Sequence, residues 1–219
     1  MGPLATFPER TRQVARIGLL GGTFNPPHIA HLVCAQEALV QLGLDRVLLV
    51  PVHEPPHKEA ESDPGVAHRV ELCRRAVAGD ERLGVSLADA GVPGPSYTVA
   101  TLRRLHEACR GDQLTFIVGG DMALSLRAWR EPEAILELAE LGVAERAGVG
   151  RAAILERLAG LRGVPDRLRF FEMPRLDVSS SLIRRLAAAG RPIRYLVPDA
   201  VAEYVVDRGL YRAPAGAAR

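Results

Sequence analysis

The segment GGTFNPPHIAH, residues 21–31, has the residue types and spacing best suited to chemistry in this chain. Gly21 and Gly22 put no Cβ between the backbone and a ligand. His28 and His31 stand at the start of an apolar-periodic stretch, so both imidazoles are expected on the first turn of one helix. Unpaired backbone N–H groups at a helix start attract anions, and side chains that donate hydrogen bonds add to this. The segment therefore predicts a nucleotide-phosphate site at the carboxyl end of the preceding strand.

Other interpretations of this segment remain open. A pair of glycines is also typical of a tight turn without a ligand, and the pattern matches neither GxGxxG nor GxxxxGK[ST]. The two histidines could hold zinc together with His53 and His57, although the spacing is not a zinc signature. They could also be buried structural residues, which is awkward directly after Pro26 and Pro27. Contact with phosphate is the favoured interpretation.

A second candidate for anion binding is the segment DVSSSLIR, residues 177–184. A serine can cap the helix that begins there, and Arg184 lies about one turn into it. Arginine matches phosphate oxygens with paired donors. Taken alone, the segment could equally be an ordinary serine cap with a solvated arginine. Together with the first segment, it could bind one triphosphate from both sides.

The composition is that of a globular protein of 219 residues with 47% hydrophobic residues and a net charge of +2. This charge is too small to indicate a nucleic-acid surface. The chain has no apolar run that would span a bilayer, and its first residues lack the apolar core of a secretory signal. Cys34, Cys73 and Cys109 are far apart and are expected to be buried thiols, which favours a reducing compartment. We therefore expect a cytoplasmic protein that binds neither nucleic acid nor membrane.

The elements that position these residues alternate along the chain. Apolar runs bounded by glycine or proline predict buried parallel strands, and helical patterns lie between them. Asp63 is expected to cap a helix whose first residue is Pro64. Such alternation predicts an α/β fold, a doubly wound parallel sheet with helices on both faces, in one domain over 14–211 with flexible termini at 1–13 and 212–219. The predicted strands are 14–20, 46–50, 83–87, 114–118, 141–144 and 168–171, and the clearest helices are 29–42, 64–77, 97–109 and 151–161.

Two loops follow predicted strands at their carboxyl ends. Residues 51–58, PVHEPPHK, are rich in proline and basic groups, and residues 91–95 follow the next strand. Ligands of such sheets bind outside the carboxyl ends of the strands. Both loops are therefore expected to reach the same crevice as the glycine–histidine segment.

The motifs resemble those of a known family. GGTFNPPHIAH is similar to the GxFxPxHxGH signature of the nucleotidyltransferases related to class I aminoacyl-tRNA synthetases, and VSSSLIR is similar to their ISSTxIR signature. PVHEPPHK, HRVELC, PSYTVATL, FIVGGDMALSLRAW and LVPDAVAEYVVDRGLY resemble segments of the bacterial nicotinate-nucleotide adenylyltransferases, in the same order. The resemblance covers residues 17–211. It implies a Rossmann-like fold.

The resemblance also implies a reaction. The adenylyl group of ATP would pass to nicotinate mononucleotide, giving deamido-NAD and pyrophosphate in NAD biosynthesis. The 5′-phosphate of the acceptor is already anionic, so no protein base or covalent nucleophile is needed. Catalysis would then consist of positioning and charge neutralisation. Mg²⁺ would be carried mainly by the ATP phosphates, with no dedicated set of protein ligands.

Roles for individual residues follow from the same resemblance. The catalytic residues would be His28, His31 and Arg184. Lys58, with His57, would close over phosphates or remain a solvated loop charge, and Asp121 would contact a ribose or the metal or simply cap a helix. The ATP-binding residues would be Gly22, Thr23, Phe24, Lys58, Gly119, Asp121, Ser180 and Ser181.

The acceptor site would involve Thr98, Trp129 and Arg130. The Trp129 ring could stack on the pyridine, or it could be a core aromatic. Backbone N–H groups of Thr98 and Arg130 would meet the nicotinate carboxylate. A site that offers only hydrogen-bond donors favours the carboxylate of nicotinate over the amide of nicotinamide. A donor that faces the amide NH₂ group finds no acceptor there.

Two positions depart from the family pattern, and several matters stay open. Ala30 replaces the glycine between the histidines, where a small side chain should still fit. Ala147 replaces the proline of an RPG segment, which leaves the role of Arg146 as a phosphate or adenine contact open. Alternatives are a non-catalytic nucleotide-binding regulator and an adenylyltransferase for another acceptor, such as nicotinamide mononucleotide or phosphopantetheine. The sequence leaves the oligomeric state, including a homo-oligomer, undecided.

Overall fold

The structure, a computed structural model, describes residues 14–54, 62–145 and 150–212. A six-stranded, all-parallel sheet has the order β3-β2-β1-β4-β5-β6. All six predicted strands are present, with ends displaced by at most two residues. The strands are β1 (Arg16–Gly22), β2 (Arg46–Pro51), β3 (Leu83–Val85), β4 (Gln113–Gly119), β5 (Glu140–Glu145) and β6 (Leu168–Glu172).

Helices follow most of the strands and cover both faces of the sheet, as predicted. A short 3₁₀ turn, Leu126–Ala128, precedes Trp129. The helices are α1 (Ile29–Gln41), α2 (Val66–Val77), α3 (Thr98–Ala108), α4 (Gly120–Leu124), α5 (Pro132–Leu138), α6 (Arg151–Leu158), α7 (Ser180–Ala188) and α8 (Asp199–Asp207).

Alternate residues of the central strands face opposite layers. Leu19 and Phe116 pack with the apolar side chains of α3, α5 and α6. Leu20 and Ile117 pack with those of α1 and α2. A third apolar cluster joins α2, α7 and α8, through residues such as Leu72. This third cluster fixes α7 beside α1, which matters for the site.

The predicted start of α2 is wrong. The helix begins at Val66 with Gly65 at its N-cap, not at Pro64 with Asp63 as the cap. The reason is that the Asp63 carboxylate is engaged elsewhere: Oδ1 accepts from the Gly65 backbone N–H (2.9 Å) and from Arg69 Nε (3.1 Å). A carboxylate that bonds two residues onward forms a turn before the helix rather than a cap.

The end of α6 is also earlier than predicted. The helix stops at Leu158 rather than at residue 161, because the C-cap residue Ala159 leaves the helical conformation (ψ 133°) and Gly160 after it is left-handed (φ +86°). Several expectations fall outside the described residues: the flexible termini 1–13 and 212–219 (except Arg212), the loop with His57 and Lys58, and Arg146 with Ala147.

The strand order reverses at the boundary between β1 and β4, since β1 pairs with β2 on one side and with β4 on the other. In open parallel sheets this switch point leaves a crevice at the carboxyl ends of the strands. Three strands end at this crevice: β1 at Gly22, β2 at Pro51 and β4 at Gly119. Over the described ranges, no helix is long and apolar enough to cross a membrane.

Candidate active site

The loop after β1 is tightly packed. The Phe24 ring is buried (2% exposed), and Phe24 has a left-handed backbone (φ +53°). A Cβ added at Gly22 would lie 3.1 Å from this ring, so a larger residue at that position would press on the buried Phe24 side chain. The backbone of Gly22, Thr23 and Phe24 is thereby held in a fixed shape at the switch point.

The two histidines lie together at the start of α1. His28 is the N-cap residue and is buried. The His31 ring stacks on the His28 ring at a centroid distance of 3.7 Å and meets the Phe24 ring edge-on at 5.1 Å. The His28 backbone N–H donates to His31 Nδ1 (3.1 Å). A neutral His31 ring therefore carries its proton on Nε2, which is the nitrogen able to donate to an oxyanion.

The start of α7 docks onto this same loop. Ser180 Oγ donates to the Pro26 carbonyl (2.8 Å), and Arg184 Nη1 donates to the Asn25 carbonyl (2.8 Å). Arg184 Nη2 also lies 3.3 Å from Ser181 Oγ. The helix ends of α1 and α7, which are far apart in the chain, therefore converge as the sequence predicted.

The three serines have different structural surroundings. Ser179 is the N-cap of α7, and its Oγ accepts from the Leu182 backbone N–H (3.2 Å). The Ser180 hydroxyl proton is used on Pro26, so Ser180 could offer phosphate only its backbone N–H. The Ser181 side chain stays exposed beside Arg184.

The two loops after β2 and β3, which were predicted to reach one crevice, contact each other. The His53 backbone N–H donates to Ser96 Oγ (3.0 Å), and the Ser96 backbone N–H donates to the Glu54 carbonyl (3.0 Å). His53 Nδ1 lies 2.9 Å from the Ala90 carbonyl. The loop after β3 then enters α3 at Thr98.

The end of β4 supplies the other side of the crevice. Gly119 is the N-cap of α4, and Asp121 is exposed on its first turn. Among the described residues, no group of three or more His, Cys, Asp or Glu side chains could hold a metal ion. His57, which the zinc alternative needs, lies outside the described residues.

The predicted acceptor residues come from two elements that meet. The Arg130 guanidinium lies 5.0 Å above the centre of the Tyr97 ring, next to Thr98 at the start of α3. Trp129 Nε1 donates to Ser125 Oγ (2.9 Å), and its half-buried ring meets Phe116 edge-on at 6.1 Å. Trp129 is therefore anchored on the core at the end of the crevice where Thr98 and Arg130 lie.

Comparisons with known proteins agree with this arrangement. A cytidylyltransferase-like family model matches residues 19–186. A probable nicotinate-nucleotide adenylyltransferase of Roseiflexus castenholzii is 45% identical over 199 residues, 90% of this chain and 98% of the relative. One of Symbiobacterium thermophilum is 40% identical over 199 residues, 90% of this chain and 96% of the relative. The chain belongs to the nicotinate-nucleotide adenylyltransferase family.

A solved member confirms the fold. The Plasmodium falciparum nicotinic acid mononucleotide adenylyltransferase complexed with NaAD superposes with a TM-score of 0.71 over 90% of this chain and 97% of that one, at 16% identity. At this identity the likeness establishes the fold alone. In the present chain, Ala30 of α1 is buried (2% exposed). Its methyl group is therefore accommodated where the motif of the nicotinate-nucleotide adenylyltransferase family has glycine.

Sequence reasoning missed one charged residue of the site. Arg69 of α2 is 1% exposed, and its guanidinium donates to the Thr23, Val52 and His53 carbonyls at 3.1, 2.7 and 2.8 Å. The HRVELC stretch contains this arginine, but nothing local in the sequence distinguishes it from an exposed helix charge.

In the same region, burial raises the pKa of the Tyr211 phenol, against the opposing influence of Arg184, so the phenol stays protonated.

Proposed function

We propose that this protein transfers the adenylyl group of ATP to nicotinate mononucleotide, giving deamido-NAD and pyrophosphate. The observation that carries the proposal is the docking of Ser180 and Arg184 onto the Pro26 and Asn25 carbonyls. It places a second helix N-terminus and a guanidinium within two to three residues of His28. A polyphosphate at this junction would meet positive partial charge from both helices.

The reaction needs few groups from the protein. An oxygen of the acceptor's 5′-phosphate forms a bond to the α-phosphorus of ATP, and the bond from that phosphorus to the bridging oxygen breaks, so that pyrophosphate leaves with the electron pair. His28 and His31 would hold the ATP phosphates and stabilise charge that develops around the α-phosphorus. Arg184, Ser180 and Ser181 would hold the β- and γ-phosphates. Hydrogen-bond donors stabilise the charge of a transition state most strongly when their positions are fixed before the reaction. The stacked imidazoles of His28 and His31 are held in this way.

The remaining ATP contacts come from the fixed backbone. Gly22, Thr23 and Phe24 would contact the nucleotides through main-chain atoms, and Gly119 would lie against a ribose. Mg²⁺ bound to the phosphates would neutralise part of their charge. Asp121 supplies an exposed carboxylate at the end of β4, an oxygen ligand of the kind that Mg²⁺ takes beside phosphate oxygens.

The acceptor would lie between α3 and Trp129. The Trp129 ring would stack on the pyridine, and the backbone N–H groups of Thr98 and Arg130 would donate to the carboxylate. The position of Thr98 at the first residue of α3 supports this role, since N–H groups there lack a partner within the helix. The Arg130 guanidinium beside Tyr97 adds positive charge at the same end.

The test is pyrophosphate release from ATP with three acceptors in parallel. We expect rapid release with nicotinate mononucleotide, less with nicotinamide mononucleotide, and background release with phosphopantetheine. Preference for phosphopantetheine would contradict the assignment of the acceptor site. ATP binding without release from any acceptor would identify a nucleotide-binding regulator instead.

We further propose that residues 14–211 act as one nucleotidyltransferase domain in the cytoplasm. A single sheet positions every described part of the site, which supports the one-domain assignment. Cys34 and Cys73 are buried, as the sequence predicted, whereas Cys109 just after α3 is only partly buried, contrary to the prediction.

A further inference from the structure

Arg69 is unusual because it is a charged side chain buried in the layer beneath the site. It is 1% exposed, and its one carboxylate partner among the described residues is Asp63, whose Oδ1 lies 3.1 Å from Nε and whose side chain is 25% exposed. Burying a guanidinium is costly unless hydrogen bonds and a counter-charge offset the loss of water. An apolar residue would satisfy the packing of α2 at lower cost, so the charge itself calls for an explanation.

The partners of Arg69 provide that explanation. Only one of its hydrogen bonds, from Nε to Asp63, serves the start of its own helix. Nη1 donates to the Thr23 and Val52 carbonyls, and Nη2 donates to the His53 carbonyl. These carbonyls belong to the loops after β1 and β2. Three carbonyl dipoles that point at one place repel each other unless a cation lies between them.

The contacts continue from Arg69 in both directions. On one side, the Val52 backbone N–H donates to the Gly22 carbonyl (3.1 Å), next to the backbone assigned to ATP. On the other side, the His53 backbone N–H donates to Ser96 Oγ (3.0 Å), two residues before Thr98 of the acceptor site. Arg69 therefore lies in the middle of a short hydrogen-bonded path that joins the ATP half of the crevice to the acceptor half.

We propose that Arg69 is a positioning residue that fixes the alignment of the acceptor half of the site against the ATP half. The proposal rests on the proposed function for its kinetic consequence. Arginine suits this task because its planar fork fixes the directions of several donors at once, which a lysine ammonium does not. In-line attack on phosphorus depends strongly on alignment, and a displacement of about 1 Å can cost about a hundredfold in rate.

The experiment compares Arg69→Met and Arg69→Lys with the control Val77→Ala. Val77 is buried on the same helix, packs in the apolar cluster with α1, and has no side-chain donor for the loop carbonyls. Melting temperature, kcat, and KM for ATP and for nicotinate mononucleotide are measured for all variants. Hydrogen exchange of the Val52 and Ser96 amides is measured in the same samples.

A positioning role predicts a specific pattern. Arg69→Met is expected to lower kcat by about a hundredfold, with smaller changes in either KM, and Arg69→Lys is expected to retain part of kcat. Val77→Ala should lower the melting temperature and leave kcat unchanged. The Val52 and Ser96 amides should exchange faster in Arg69→Met than in Val77→Ala. If Arg69→Met does not fold, kcat and the amide exchange rates are compared between Arg69→Lys and Val77→Ala instead.

Two results would overturn the proposal. One is that the Arg69 variants and Val77→Ala lose similar amounts of melting temperature and that kcat of the Arg69 variants then falls no further than kcat of Val77→Ala. The other is unchanged exchange of the Val52 and Ser96 amides. If the wild-type protein releases no pyrophosphate with nicotinate mononucleotide, the proposed function is wrong, and the exchange data alone then decide whether Arg69 holds the two loops together.

Discussion

Replacing His31 by glutamate separates the two tasks that the structure gives to this side chain. His31 is the third residue of α1, and its Nδ1 accepts from the His28 backbone N–H at 3.1 Å. Glutamate at this helix position can reach back to the same N–H group, so it keeps the cap. Its carboxylate only accepts hydrogen bonds, so it cannot replace the imidazole Nε2 as a donor to phosphate. Alanine at the same position removes both functions.

The structure allows the size of each effect to be estimated. Loss of the bond to the His28 N–H costs about 1 kcal/mol, so His31→Ala should be less stable than His31→Glu by about that amount. For a domain of this size the difference corresponds to about 3 °C in melting temperature. Loss of one donor to charge that develops in the transition state costs about 3 to 4 kcal/mol, or 10² to 10³ in kcat, in His31→Ala. His31→Glu should lose at least as much, since its carboxylate also repels phosphate.

Pyrophosphate release at saturating ATP and nicotinate mononucleotide measures kcat, and thermal denaturation measures stability. His68→Ala serves as the control, since His68 contacts Tyr204 of α8 rather than the crevice (His68 Nδ1 to Tyr204 Oη, 3.0 Å). His31→Glu should melt above His31→Ala while both turn over slowly. A His31→Ala protein that keeps more than about a tenth of wild-type kcat would refute transition-state stabilisation by this imidazole.

Three further predictions concern other parts of the molecule. Trp129→Ala should raise KM for nicotinate mononucleotide and leave KM for ATP unchanged; equal changes in both would place the pyridine elsewhere. Ser179→Ala removes the cap on the Leu182 N–H, so it should lower stability by about 1 kcal/mol with kcat retained, as measured by denaturation and turnover. A hydrogen bond from Arg82 lowers the pKa of Asp80 from 3.8 to about 2. The stability from this pair is therefore present above about pH 4 and lost as pH falls towards 2, and Asp80→Asn should lack that part of the pH dependence in melting experiments from pH 2 to 5.

Much of the fold could be predicted from the sequence because the signals are local. Buried parallel strands are continuous apolar runs between glycines and prolines, so β1, β2 and β4 are apparent without any knowledge of their neighbours. The GG turn and the histidine pair mark the start of α1, and the serines mark the start of α7. The family resemblance rests on the same local motifs and on their order.

Two helix boundaries could not be predicted from the pattern of side chains. Asp63 has the residue type of a helix cap, but Arg69 and the Gly65 N–H occupy its carboxylate, so α2 begins later. The end of α6 depends on the backbone conformations of Ala159 and Gly160, which a helical pattern of side chains does not reveal.

The sequence by itself determined which residues can bind phosphate and which elements present them, because helix starts, glycine turns and apolar periodicity depend on neighbours in the chain. Only the tertiary structure decided that Ser180 and Arg184 contact Pro26 and Asn25, residues more than 150 positions earlier. It also decided that Arg69 is buried under the crevice rather than exposed on α2. Such contacts arise from how helices pack on the sheet, and a side chain carries no local mark of the distant carbonyl that it will meet.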